Sequence, residues 1–314
     1  MNITFFETDN YEKEYLEKSL KNNKLAFFNR PINQSDLKKI GETEVLGVFI
    51  HSHLNRIALE KLPNLKLIVT MSTGYDHIDF DYCRKNKIVV CNVPYYGEHT
   101  VAEHTFGLII MLLHRIYEGV ARVKKGFFSC KGLEGSDLKG KTLGVIGTGH
   151  IGEHVIRMAK AFDVHVVAHD IFQRPELAKQ LQFNYVSLDD VLKRADIATL
   201  HVPLTKETHH IINSKALARM KKGAYLVNTS RGGLVDTKAL INALKSNQLA
   251  GAALDVLEHE PPKTKEEHEL LQMSNVLVTP HSAFYTKEAI ERILDTTIGN
   301  IEAFERRKLQ NIVS

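Results

Sequence analysis

Leu143-Gly-Val-Ile-Gly147-Thr-Gly149-His-Ile-Gly152 decides how this chain is read. An apolar strand at 142–146 runs into three glycines spaced G-x-G-x-x-G, and a helix-periodic segment follows to about Phe162. A second apolar stretch, 164–168, comes next, with Asp170 just beyond it, 23 residues after Gly147. Three spaced glycines alone say little. Inside a strand–turn–helix–strand frame with an acid about 20 residues on, they mark a dinucleotide cradle. Gly147 permits the tight turn, Gly149 lets the backbone approach a pyrophosphate, and Gly152 lets helix and strand pack closely. The helix start, at His150 and Ile151, offers unpaired N–H groups and the positive end of its dipole. Asp170 can accept from the adenosine ribose hydroxyls and repels a 2′-phosphate, which favours NAD over NADP. Arg174 nearby argues mildly the other way.

Outward from the cradle the pattern alternates strand and helix. Strands are expected at 3–6, 47–50, 67–71 and 88–91, then at 142–146, 164–168, 197–201, 224–228, 252–255 and 276–279. They are near-continuous apolar runs, as in parallel sheets covered on both faces. About 140 residues precede the cradle, enough for an α/β domain of their own, so a ligand cleft is expected between two domains. Ser187, Asn213 and Thr286 are placed to cap helices. Residues 100–124 read as one long helix with more than one buried face, and 132–140 as a surface loop.

Composition narrows the function classes. The 314 residues include 41 Lys+Arg and 37 Asp+Glu, a net charge of +4 too weak and scattered for a nucleic-acid surface. The most apolar stretch, 106–113, is far shorter than the roughly 20 residues of a membrane span. Met1-Asn-Ile-Thr-Phe-Phe-Glu does not read as a signal peptide. Cys83, Cys91 and Cys130 are an odd number without metal-ligand spacing, and HExxH is absent. A cytoplasmic protein with no metal site, no disulfide framework and no membrane partner is expected.

Three polar clusters stand at strand ends in the second series, where open parallel sheets bind ligands. They are Asn228-Thr-Ser-Arg231-Gly-Gly, Asp255-Val-Leu-Glu-His-Glu260-Pro-Pro and Thr279-Pro-His281-Ser-Ala-Phe. Together they supply an anion-binding fork, a carboxylate and an imidazole, a set suited to reducing a 2-oxo acid by hydride transfer. Arg231 can grip a substrate carboxylate. His281 can protonate the developing alkoxide, held by Glu260.

With Gly74-Tyr-Asp-His-Ile-Asp79, Asn92-Val-Pro, Val101-Ala-Glu-His, His201-Val-Pro-Leu-Thr and the cradle, these motifs resemble the D-isomer-specific 2-hydroxyacid dehydrogenase family along essentially the whole chain. The resemblance is closest to its D-lactate branch. It implies two Rossmann-like or flavodoxin-like domains with parallel sheets: a discontinuous substrate domain at 1–98 plus 286–314, and an NAD-binding domain at 99–285. Hinges are expected near 97–100 and 284–286. The resemblance puts catalysis on Arg231, Glu260 and His281. Cofactor contacts fall on Gly147, Gly149, His150, Ile151, Gly152, Asp170, Val202, Pro203, Thr208, Thr229, Ser230 and Asp255, the last beside the nicotinamide carboxamide. Substrate contacts fall on Thr73, Gly74, Tyr96, Arg231 and Tyr285. Segment 100–124 resembles the family's dimer helix, which implies a homodimer. Gly97-Glu98 departs from the small-residue-plus-proline wording of the family, leaving the shape of that loop open.

Pyruvate and D-lactate are the expected pair. The segments 71–77 and 282–286 carry no Lys or Arg, and none lies between Cys91 and His114. Phe284, Tyr285 and Tyr96 would make an apolar pocket. Alternatives are a hydroxypyruvate/glyoxylate or phosphoglycerate-type dehydrogenase and, from another class, an NAD-sensing corepressor-like binding protein.

Overall fold

In the computed structural model, which describes residues 1–313, the chain forms two compact units, Met1–Tyr96 with Tyr285–Ser314, and Gly97–Phe284. The sequence reading places these boundaries at 98/99 and 285/286.

The first unit alternates β1 (Asn2–Phe6), α1 (Asn10–Ser19), β2 (Lys24–Phe28), α2 (Gln34–Leu37), β3 (Val45–Val48), α3 (Arg56–Leu59), β4 (Leu67–Thr70), α4 (Phe80–Lys85) and β5 (Val89–Cys91). Its five strands pair in parallel in the order β2-β1-β3-β4-β5, a doubly wound sheet whose order reverses at β1/β3. Edge strand β2 escapes the sequence reading because it is only half-buried. It is fixed by Phe27 and Phe28 stacking on Phe5 and Phe6 with ring centroids 5.4 and 4.6 Å apart.

The second unit runs α5 (Glu98–Leu113), α6 (Ile116–Lys124), β6 (Thr142–Ile146), α7 (His150–Ala161), β7 (His165–His169), α8 (Pro175–Leu181), β8 (Asn184–Tyr185), α9 (Leu188–Arg194), β9 (Ile197–Leu200), α10 (Ser214–Arg219), β10 (Ala224–Asn228), α11 (Thr237–Lys245), β11 (Leu249–Leu254), α12 (Lys265–Gln272) and β12 (Val276–Val278). Its parallel sheet has the order β12-β11-β10-β9-β6-β7-β8 and reverses at β6/β9. Ile146, Leu200 and Leu226 belong to one buried cluster and Val145, Ile197 and Val227 to another. A final helix, α13 (Lys287–Glu305), belongs to the first unit. Ser187, Asn213 and Thr286 cap α9, α10 and α13 through their side chains. Among the described residues no helix is long and apolar enough to cross a membrane.

The single helix expected over 100–124 is two. Arg115 takes a left-handed backbone, φ +51°, between α5 and α6. The carbonyl of Leu113, which a continuing helix would use four residues on, instead accepts the N–H of Ser136 at 2.9 Å. Arg115 then joins Glu118 and the carbonyl of Gly132. A loop docking from twenty residues away ends the helix, so no local breaker marks the spot. The buried residues of α5, among them Ala102, Phe106, Leu108, Ile109, Leu112 and Leu113, form a face wider than one stripe, as expected, with Glu103 and Gly107 on the exposed side.

Candidate active site

In the second unit the candidate site residues gather at the carboxyl ends of β6, β7, β9, β10, β11 and β12. Gly147 has φ +96°, and a Cβ there would stand 2.6 Å from the backbone carbonyl of His201 beyond β9. Only glycine lets the turn after β6 lie this close to its neighbour. Gly149 then caps α7, and Gly152 is buried inside its first turn. The first amides of α7, His150 and Ile151 among them, have no intrahelical acceptors by helix geometry. An open glycine turn, a helix start and an acid on the next strand together fit a dinucleotide pyrophosphate and ribose.

Asp170 is reached by three donors of its own unit: the N–H and hydroxyl of Thr148 at 2.6 and 3.0 Å, and the N–H of Phe172 at 2.9 Å. A carboxylate has about four acceptor positions, so capacity remains for a ribose hydroxyl. Glu98, where the family wording has proline, opens α5 and stands 3.4 Å from His150 Nδ1. Beyond β9, the Thr208 hydroxyl donates to the carbonyl of Pro203 and the Ser230 hydroxyl to that of Val202, both at 2.6 Å. The Thr229 hydroxyl meets that of Thr105 on α5 at 2.7 Å. Burial holds the His201 imidazole well below its usual range and therefore neutral.

Arg231 follows β10. The buried Asn228 side chain accepts from the N–H of Ser230 at 3.0 Å and donates to the carbonyl of Arg231 at 2.8 Å, clamping the turn. A Cβ on Gly232 would come within 2.0 Å of the Leu257 carbonyl. The missing side chain thus lets the Arg231 turn touch the loop after β11, which carries Glu260. The Arg231 guanidinium donates to the Ser230 carbonyl at 2.8 Å.

Glu260 Oε1 accepts the N–H of Leu257 at 3.0 Å, and its Oε2 lies 2.6 Å from His281 Nδ1. A carboxylate only accepts, so the Nδ1 proton faces Glu260. The side chains are 25% and 20% exposed, open enough to meet a ligand. His281 has φ +52°, uncommon for a residue with a side chain, and its N–H donates to the carbonyls of Asp255 and Thr279 at 2.8 and 3.0 Å.

Asp255 holds that turn in place. Its carboxylate, 1% exposed, accepts the N–H groups of Ser282 and Ala283, each at 2.9 Å, and the Thr279 hydroxyl. His104 Nε2 stands 3.6 Å away. The resemblance puts this acid beside a nicotinamide carboxamide; in the structure its oxygens also hold the backbone that presents His281.

Sequence reading missed Glu267 of α12. Although 1% exposed, it accepts from the N–H groups of His259, Lys263 and Thr264, each at 2.8 Å, and from the Thr264 hydroxyl at 3.0 Å. His259 Nδ1 lies 2.9 Å off. Burial alone would raise this carboxyl; the donors outweigh it and bring it down to about 2. Glu267 thus fastens both ends of the segment bearing Glu260. The available signal was Thr264-x-x-Glu267, a capping box.

Thr73, Gly74, Tyr96 and Tyr285 belong to the first unit. The Ser72 hydroxyl donates to the Gly74 carbonyl at 2.6 Å, and Asn92, itself held by Asn300, donates to the Thr73 carbonyl at 2.9 Å. Among the described residues the N–H groups of Thr73 and Gly74 take no partner, as a carboxylate-binding loop requires. Arg292 of α13, another residue the sequence reading passed over, donates to the Tyr96 carbonyl at 2.7 Å. Partial burial, together with Asp9 and Glu12, raises the Tyr285 hydroxyl. Glu7, also missed, accepts from the N–H groups of Phe49 and His51 at 3.2 and 3.1 Å and from the Ser52 hydroxyl, tying the ends of β1 and β3.

Residues 106–283 match the family model described as D-isomer specific 2-hydroxyacid dehydrogenase, NAD binding domain. The chain is 40% identical to a 2-hydroxyacid dehydrogenase homolog of Zymomonas mobilis over 326 aligned positions, 98% of each chain. A D-lactate dehydrogenase of Aquifex aeolicus, solved with NAD and lactic acid, is similar with a TM-score of 0.91 and 38% identity, over 98% of this chain and 96% of that one. The apo D-lactate dehydrogenase of Escherichia coli is similar with a TM-score of 0.91 and 33% identity over the full length of both.

Proposed function

The chain belongs to the D-isomer specific 2-hydroxyacid dehydrogenase family, and from that premise we propose that it interconverts pyruvate and D-lactate. It is an NAD-dependent oxidoreductase. The observation that carries the proposal is the 2.6 Å contact between His281 Nδ1 and Glu260 Oε2. It fixes Nδ1 on a carboxylate and so orients the ring, and the reading assigns the other nitrogen, Nε2, to the substrate oxygen.

When bound, NAD supplies hydride chemistry at the 2-carbon; the chain supplies the rest. In the reducing direction His281 gives its Nε2 proton to the substrate oxygen as negative charge develops there. Glu260 orients the ring and stabilises its protonated form while the proton is held. Arg231 binds the substrate carboxylate and polarises the adjacent carbonyl. In the oxidising direction His281 takes the proton back. The unit with α13 is read as the substrate domain.

Charge supports a small, unphosphorylated substrate. A phosphate calls for uncommitted cations. Lys66, the cation nearest in sequence to the 72–75 loop, is paired with Glu44, and Arg56 with Glu60, each at 2.7 Å. The test is kcat/KM with NADH for pyruvate, 2-oxobutyrate, hydroxypyruvate and 3-phosphohydroxypyruvate. Pyruvate should lead, and a phosphorylated winner would place the chain in the phosphoglycerate branch.

The working form is a homodimer. The apolar face of α6, with Ile116, Tyr117, Val120 and Val123 all more than 40% exposed, continues into Phe127 and Phe128 and suits a second copy. The segment expected to make the dimer contact, 100–124, spans α5 and α6, and its exposed apolar face lies on α6. Burial pushes the thiols of Cys83 and Cys91 up to about 11, where they are inert, and three free cysteines fit the reducing cytoplasm.

A further inference from the structure

Asp170 and Arg174 carry opposite charges and hold the same residue of the cradle. While Asp170 takes the N–H and hydroxyl of Thr148, Arg174 donates from Nη2 to the carbonyl of Thr148. From Nη1 it donates to Glu153 Oε2 on α7 at 2.9 Å. Glu153 Oε1 accepts from Arg157 at 2.7 Å. Tyr185 braces the group: its hydroxyl lies 2.8 Å from Thr148 Oγ1 and accepts the N–H of Arg174 at 3.2 Å. Partial burial, which alone would raise the Glu153 carboxyl, is outweighed by Arg157 and Arg174, so the acid is charged at neutral pH.

Thr148 lies between the first two glycines and bonds the acid expected at the ribose. A guanidinium on its carbonyl is therefore at the adenosine end of the dinucleotide site. An arginine there is the group that accommodates the 2′-phosphate of NADP. Here the guanidinium is already engaged, with one nitrogen on a carbonyl and one on a carboxylate. Turning it toward a phosphate would break a charge-assisted hydrogen bond, the strong kind.

We propose that Glu153 is a specificity-determining residue for the dinucleotide: it pins Arg174 to the cradle and so withholds that cation from a 2′-phosphate. Exclusion of NADP then rests on two acids, Asp170 by direct repulsion and Glu153 by sequestration. This rests on NAD binding and not on the identity of the 2-oxo acid.

Binding without substrate provides the test. NADH and NADPH are titrated by fluorescence against the wild type, Glu153→Gln, Arg174→Gln and the double variant, with folding checked by thermal melts. Wild type should prefer NADH. Glu153→Gln should tighten NADPH about 10-fold, the scale of one hydrogen bond to a charged group, with NADH changed less than about twofold. Arg174→Gln should bring no gain, and the double variant should lose the gain of Glu153→Gln. Glu153→Ala releases the same guanidinium by a second route should the glutamine variant fold poorly. An unchanged NADPH affinity in both Glu153 variants overturns the proposal, as does a gain that survives loss of Arg174. Failure of NADH to bind the wild type would instead count against the cradle itself.

Discussion

His281 is held by three neighbours at once. Glu260 holds one ring nitrogen, Asp255 and Thr279 fix the backbone, and the left-handed turn aims the ring. Replacing His281 by Ala is expected to cut kcat by about 10²–10⁴, the usual worth of a positioned acid/base, with NADH affinity nearly unchanged. Steady-state kinetics with a fluorescence titration of NADH measures both, and near-normal turnover would remove His281 from the mechanism. Glu260→Gln keeps the shape but not the charge, so it should lose a smaller part of the same kcat. At this scale much was legible. Asn228 to Arg231, Asp255 to Glu260 and Thr279 to His281 stand at strand ends in the sequence as in the fold. Asp255 was legible as a site acid, but its hold on the His281 turn was not, because a string of letters does not show which donors reach a carboxylate.

The segment between β11 and α12 shows how an element serves the site. Glu267 caps α12 in the ordinary way, and the same oxygens hold His259 and Lys263 on either side of Glu260. Its carboxyl lies at about 2 when folded, against about 4.3 for a free glutamate. A depressed folded value means stability that is present above about pH 4.5 and is lost as pH falls toward 2. The shift corresponds to about 3 kcal/mol at most. Glu267→Gln is expected to lower Tm at pH 7, with the gap to wild type narrowing from pH 4.5 downward in melts followed by circular dichroism. Because Glu260 rides on the fastened segment, the same variant should lower kcat more than NADH affinity. A pH-independent gap would mean that the carboxylate is not the fastening group.

At the scale of the molecule, two sheets with separate cores divide the labour. The cradle, Arg231, Glu260 and His281 lie in Gly97–Phe284, so NADH should slow hydrogen exchange first in peptides of that unit. At 100 times its Kd it should add about 2.7 kcal/mol to the stability of the species it binds. Protection confined to peptides of Met1–Tyr96 would contradict the cradle assignment. Val120→Glu with Val123→Glu should turn the proposed dimer into a monomer in light scattering, since charge on α6 cannot be buried against a second copy without cost. An unchanged mass would move the interface elsewhere. The sequence by itself determined the strand–helix alternation, the parallel sheets, the cradle and the acid after β7, because periodicity, glycine spacing and caps act over a few residues. Only the tertiary structure decided that α5 stops at Leu113, that Asp255 braces the His281 turn, that Glu267 fastens the Glu260 segment and that Glu153 holds Arg174. Each of those outcomes depends on a hydrogen bond whose partner comes from elsewhere in the chain, and such a bond exists only once the chain has folded.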